Sequence, residues 1–136
     1  MADLTIDPKK VRPETGAIVR TGVATEAMNV GDLVLAVTAG WEMANNTAAA
    51  GVDGMLGIVV AGHKHSTTGA VASGETISVH VFGPIVLGVT LVVATPLFTS
   101  ANDGNIADAT STNARILGHP LDTAVFFFNP SPANPA

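Results

Sequence analysis

Thr76-Ile77-Ser78-Val79-His80-Val81-Phe82 alternates with a period of two, the spacing of a strand covered on one face. Ile77, Val79 and Val81 are expected on one side of it, with Ser78, His80 and Phe82 on the other. Gly74-Glu75 precedes the run and Gly83 follows it, so turns bound it at both ends. Six further short runs read the same way: 17–23, 33–38, 55–61, 97–100, 116–121 and 124–128. Turn signals recur about every eight to twelve residues, the pattern of an all-β sandwich or barrel. No stretch carries an apolar stripe at helical spacing, and 46–51 is at most an alanine-rich turn. The expected fold is a small antiparallel β-barrel or sandwich, one domain over residues 16–128.

A weak internal repeat fits hairpins. Gly31-Asp32-Leu33-Val34-Leu35 leads to Gly40, nine residues after Gly31, and Gly74-Glu75-Thr76-Ile77-Ser78 leads to Gly83 at the same spacing. Thr95-Pro96-Leu97-Phe98-Thr99 leads to Gly104 likewise, with threonine in the first glycine's place. In each unit the glycine can take a positive φ, and the acid that follows can receive turn N–H groups.

The flanks differ from this body. Residues 1–15 carry Pro8 and Pro13 and little apolar content beyond Leu4 and Ile6, which suggests an extended arm outside the core, ordered by a partner. Residues 129–136, Asn-Pro-Ser-Pro-Ala-Asn-Pro-Ala, read as a polyproline-like tail. Four of the six basic residues (Lys9, Lys10, Arg12 and Arg20) lie in the first twenty positions. After them, eight acids face only Lys64 and Arg115, so a basic arm sits on an acidic body of net charge −5 overall. This balance, the lack of tyrosine and the shortness of the basic cluster disfavour nucleic acid. Only 12% of residues are charged, against about 25% in ordinary soluble domains, so the surface suits close packing against protein. There is no apolar run long enough to span a bilayer and no signal-peptide pattern, and a cytoplasmic start is expected.

The residues offer little catalytic chemistry. The absence of cysteine excludes thiolate nucleophiles, thiolate zinc sites and disulfides. His63 and His65 could share a metal, but no carboxylate follows at a useful spacing and a solvated loop is the simpler reading. Ser66 lies beside His65 outside any nucleophile elbow, and no phosphate-binding loop is present. His80 and His119 read as structural, and Trp41, the single tryptophan, as a core or interface residue. No enzyme activity, cofactor or metal is expected. Ala124-Val125-Phe126-Phe127-Phe128 is apolar on both faces, so both need cover. One can line the core; the other awaits either loops or a partner subunit.

Ala27-Met28-Asn29-Val30-Gly31-Asp32-Leu33-Val34, Gly57-Ile58-Val59, Gly74-Glu75-Thr76-Ile77-Ser78-Val79, Gly83-Pro84-Ile85-Val86 and Ile116-Leu117-Gly118-His119-Pro120-Leu121 follow one another in an order that resembles the head decoration (capsid cement) proteins of tailed bacteriophages. The likeness covers about residues 16–128. It implies a compact β-tulip domain on the outer capsid surface of the virion, bound to the major capsid protein and often trimeric. On that role the composition of the arm makes Leu4, Ile6, Lys9, Lys10 and Arg12 the expected capsid contacts, and the two apolar faces of the last strand put Phe126, Phe127 and Phe128 in a subunit interface or the core. A β-rich module of a tail, baseplate or surface adhesin is the alternative.

Overall fold

Among the described residues twelve strands follow in order: β1 (Arg12–Pro13), β2 (Ile18–Val23), β3 (Met28–Asn29), β4 (Leu33–Val37), β5 (Gly40–Met43), β6 (Leu56–Gly62), β7 (Ala70–Val71), β8 (Thr76–Val86), β9 (Leu97–Thr99), β10 (Ile106–Ala107), β11 (Ile116–Pro120) and β12 (Val125–Phe128). This computed structural model describes residues 3–64, 68–111 and 113–131. All the strand ladders are antiparallel, and β3 and β7 form a separate two-stranded ribbon. The sheet curls strongly into a half-barrel, so the all-β expectation holds. The short helical turns are Pro8–Lys10 and Ala49–Gly51.

The run quoted at the outset is the first part of β8, the eleven-residue spine of the sheet. Its first half lies between β2 and β6, its second between β1 and β12. The strand passes through Gly83 and Pro84, where a stop was expected. Ile77 and Val79 point inward as the alternation requires, yet His80 is fully buried too. The reason is a bulge: Ile18 pairs with Phe82 while Val19 pairs with His80, leaving Val81 as an extra residue. Such an insertion bends the strand and re-aims its side chains.

One continuous core joins the halves. Leu33, Val34, Ile58, Val59, Ile77 and Val79 fill one end, and Ile85, Leu117, Ile106, Phe126 and Phe128 the other. Trp41 is buried over Gly22, whose missing side chain makes room: a Cβ there would sit 2.5 Å from the indole nitrogen. At the same corner a parallel bridge between Ala24 and Trp41, with Thr25 N donating to the Trp41 carbonyl at 2.9 Å, draws β2 toward β5.

The two Gly-acid turns of the repeat match in detail. Asp32 accepts from Asn29 N at 2.8 Å and Glu75 from Ala72 N at 3.0 Å, each reaching back three residues. Lys64 N also donates to Glu75, and these backbone donors hold that carboxyl below the usual range.

The arm corrects the expectation of an unattached segment. Asp3 bridges Ala107, and Leu4 N donates to the Ile106 carbonyl at 2.8 Å, extending the sheet beyond β10. Asp7 caps the Pro8–Lys10 turn by accepting from Lys9 N, and Arg12 and Pro13 pair with Val86 and Ile85. Val11 is buried, and Leu4 and Ile6 pack against the core. The arm therefore runs from the β10 edge of the sheet to the flank of β8. It lies close because glycines lie beneath it: a Cβ on Gly31 would meet Ile6 at 2.7 Å, and one on Gly88 would meet the Asp7 carbonyl at 2.9 Å. Both have a positive φ, so a side chain would be strained there in any case. Few apolar residues suffice when each meets a prepared surface.

The start of the tail also belongs to the body. Asn129 N and Ser131 N donate to the carbonyls of Leu117 and Ile116. Buried Arg115 donates to the carbonyls of Val52 at 2.5 Å, Gly54 at 2.7 Å and Ser131 at 3.0 Å. Burial lowers its pKa, with Asp53 acting in the opposite sense. Arg115→Met keeps much of the stem but strips the donors from three carbonyls. It is expected to cost about 2–4 kcal/mol in urea unfolding, since hydrogen bonds to charged groups are the stronger kind. It should also speed amide exchange at Asn129 and Ser131.

Candidate functional site

β12 resolves the question its sequence leaves open. Phe126 and Phe128 are fully buried, while Phe127 points to the outer face. There its ring meets Phe82 edge-on at 5.4 Å between centroids. Phe82 pairs in register with Ile18, and Phe127 with His119 on β11. Ile116 sits opposite Phe98 on β9. Ile116, His119, Leu121, Phe127 and Pro130 line an open groove of about 530 Å³. Leu121, 58% exposed, stands at the hairpin tip. Asp122 tightens that hairpin by accepting from Ala124 N and Val125 N, which lowers its own pKa. Leu91 N donates to the Thr123 carbonyl and brings the loop of exposed Val92 and Val93 alongside.

Ile18, Phe82, Ile116, Phe127 and Leu121 form an outward apolar strip, with Asp122 the acid at its hairpin end. Solvent-facing apolar strips of this kind mark contact surfaces. Alternation at β12 required one apolar face to turn outward. The Phe82–Phe127 pairing was not readable, because it depends on the bulge at Val81.

The other expected residues are dispersed. Lys9, Lys10 and Arg12 are exposed on the arm, Arg12 with its guanidinium 3.7 Å from Glu14. Leu4 and Ile6, expected to anchor the arm to a shell, face this chain's own core. His63 lies in an exposed turn, whereas His65 and Ser66 fall outside the described residues. Among the described residues, no group of three or more His, Asp or Glu side chains is placed to hold a metal, and no helix is long and apolar enough to cross a membrane.

Two polar groups, buried His80 and half-buried Asp32, shape the electrostatics. His80 donates from Nε2 to the Gly83 carbonyl at 2.8 Å, because a carbonyl can only accept. Its Nδ1 has no hydrogen-bond partner among the described residues, its ring stacks edge-on with Phe128, and burial lowers its pKa. Asp32 sits beneath the arm against Gly104. Burial raises its carboxyl to about 6, with the Asn29 N–H pulling it down and Glu26 pushing it up. Nearby Asp3 shows the opposite balance. Burial pushes its carboxyl up, but donors from Asn102, Asn105 and Ser100 outweigh that and hold it below the usual range.

Asp32 has a measurable consequence. Between about pH 4 and 6 the folded chain holds this proton and the unfolded chain has released it. The Asp32 contribution to stability therefore falls as pH rises through that window, and above it the charged carboxylate is a cost. Asp32→Asn is expected to stabilise the protein at pH 7.5 by about 1–2 kcal/mol, partial exposure keeping the gain below the full shift. The gain should vanish near pH 4. His80 acts in the opposite sense, losing stability as pH falls below its ordinary range, but it is common to both proteins and cancels in their difference.

Comparisons with protein-family models, with curated proteins and with solved structures return no match.

Proposed function

We propose that this chain is a structural virion protein that binds the outer surface of an expanded phage capsid and stabilises joints between major capsid protein subunits. The observation that carries the reading is the outward apolar strip centred on Phe82 and Phe127, on a chain with only 12% charged residues. A half-barrel braced by its own arm is a stiff block. Seated across a joint, it adds buried area to each subunit it touches, and many copies sum small contacts over a whole head. The strip serves the contact with the shell or with neighbouring copies in a trimer. Exposed Lys9, Lys10 and Arg12 add attraction to acidic groups, each worth only about 0–1 kcal/mol.

The test is uptake by purified heads. Expanded heads are expected to bind the protein and unexpanded heads not. The double variant Phe82→Ser, Phe127→Ser should stay folded and lose attachment by about tenfold or more, as contact aromatics commonly do. The triple change Lys9→Ala, Lys10→Ala, Arg12→Ala should give a smaller loss that shrinks as salt is raised. Equal binding to both head forms, or full attachment of the Phe82, Phe127 double variant, overturns the reading.

A further inference from the structure

β2 leaves part of its outer edge unpaired. Ala24 donates from N to the Glu75 carbonyl and accepts from Gly74 N, so its polar groups turn toward the β8 side. Alternation along a strand then turns Gly22 and Arg20 toward β8, and Val23, Thr21 and Val19 away from it. The far side of β8 agrees. His63 N donates to the Thr76 carbonyl, so the even-numbered residues at this end of β8 face β6. Ile77 and Val79, which pair with Gly22 and Arg20, are left facing β2.

The outward carbonyl of Val23 is covered, for it packs directly against Gly40, where a Cβ would lie 2.2 Å away. No described residue donates to or accepts from the outward N–H and C=O groups of Val19 and Thr21. The Thr21 groups open onto a cleft of about 350 Å³, and Val19 continues the same strand edge beyond it. Its opposite wall is the β4–β5 hairpin, with Val37, Trp41 and Met55 supplying apolar surface and Arg20 the single charge. An unpaired strand edge beside an apolar wall is the arrangement that captures extended peptide by strand addition.

The geometry points to this cleft as a docking site for an extended, acidic strand of a partner protein. The argument for that occupant is charge. A second copy using both Val19 and Thr21 antiparallel would pair Val19 with Thr21 of its partner, twice over, and so set the two Arg20 side chains directly opposite each other. Like charges so placed are destabilising. Shifting the register by two residues in one direction brings Val23, already covered by Gly40, into the pairing. A shift in the other direction brings in Ala17, whose N–H is spent on the Glu14 carbonyl. Arg20 thus works against self-pairing and favours Asp or Glu at the facing position. The inference goes beyond the capsid reading and needs no shell, so either can fail alone.

The test uses the full chain and two capped peptides, Thr-Val-Glu-Val-Thr and Thr-Val-Lys-Val-Thr, with amide exchange followed by NMR. The acidic peptide is expected to slow exchange at Val19 and Thr21 by about fivefold near four-fifths occupancy, with the lysine peptide inactive. Arg20→Glu, an exposed change that leaves the ladder intact, should reverse the preference so that only the lysine peptide protects those amides. Three results would each overturn the proposal. They are no protection at saturating acidic peptide, equal protection by both peptides, and protection that rises with protein concentration alone and so identifies a second copy.

Discussion

Removing residues 2–14 is expected to cost the domain about 4 kcal/mol or more and to lower its melting temperature by on the order of 15 °C. Val11 is buried, and Leu4 and Ile6 contribute about half a buried side chain each. At roughly 1.5–3 kcal/mol per buried aliphatic group these account for most of the loss. Asp3 adds the rest: its carboxylate accepts from Ser100, Asn102 and Asn105, and without it three donors around β9 and β10 lose their acceptor. The uncovered surface is a bed shaped for the arm, which truncation leaves open. Differential scanning calorimetry on the full and truncated chains decides the matter. An arm ordered only by a partner, as the composition of 1–15 suggests, would leave the melting temperature unchanged. That outcome would refute the docked arrangement.

Phe126→Ser and Phe128→Ser are each expected to cost about 4 kcal/mol or more, enough to leave much of the protein unfolded at 37 °C, while Phe127→Ser costs about 1 kcal/mol or less. Both inward rings are fully buried and meet each other at 6.4 Å between centroids, and Phe128 also supports His80. Serine leaves a cavity the size of a phenyl ring and places a hydroxyl there without an assured partner. Half-buried Phe127 loses its ring contact with Phe82 and its share of the open groove. Urea unfolding of the three variants should therefore give losses that run high–low–high along the strand. Equal losses at all three positions would mean that the outer face of β12 is covered within the monomer.

This contrast also marks how far the chain can be read without coordinates. The strands long enough to show a period were legible: β2, β4, β6, β8, β9, β11 and β12 lie within a residue or two of expectation, except that β8 runs on past Gly83. Strands β1, β3, β7 and β10 are two residues each, too short for any periodicity to register. β5 was hidden because Gly40-Trp41-Glu42-Met43 looks like the end of a turn. The place of His80 was lost to one inserted residue, since a bulge leaves no mark in composition. The arm was misjudged for a different reason. Its three apolar anchors, Leu4, Ile6 and Val11, follow no regular spacing, and what holds them is glycine elsewhere in the chain. For the apolar strip, the alternation Phe126-Phe127-Phe128 required an outward ring, but nothing local said which partners that ring would meet.

The docked arm has a consequence for how the protein comes to be folded. Asp3 and its hydrogen-bond partner Asn105 are 102 positions apart, so the arm must wait for a segment synthesised about a hundred residues later to find its place. Until those residues have emerged the arm has neither β10 nor the second half of β8 to lie against. The half-barrel must therefore close after its other strands are in register, with the arm latching as a late event. Such distant pairings make folding slow and leave the sheet edges bare in the meantime. A bulky fusion at the N-terminus, beside Asp3, would burden that last step, whereas the same fusion placed after Ser131 would leave the latch unhindered.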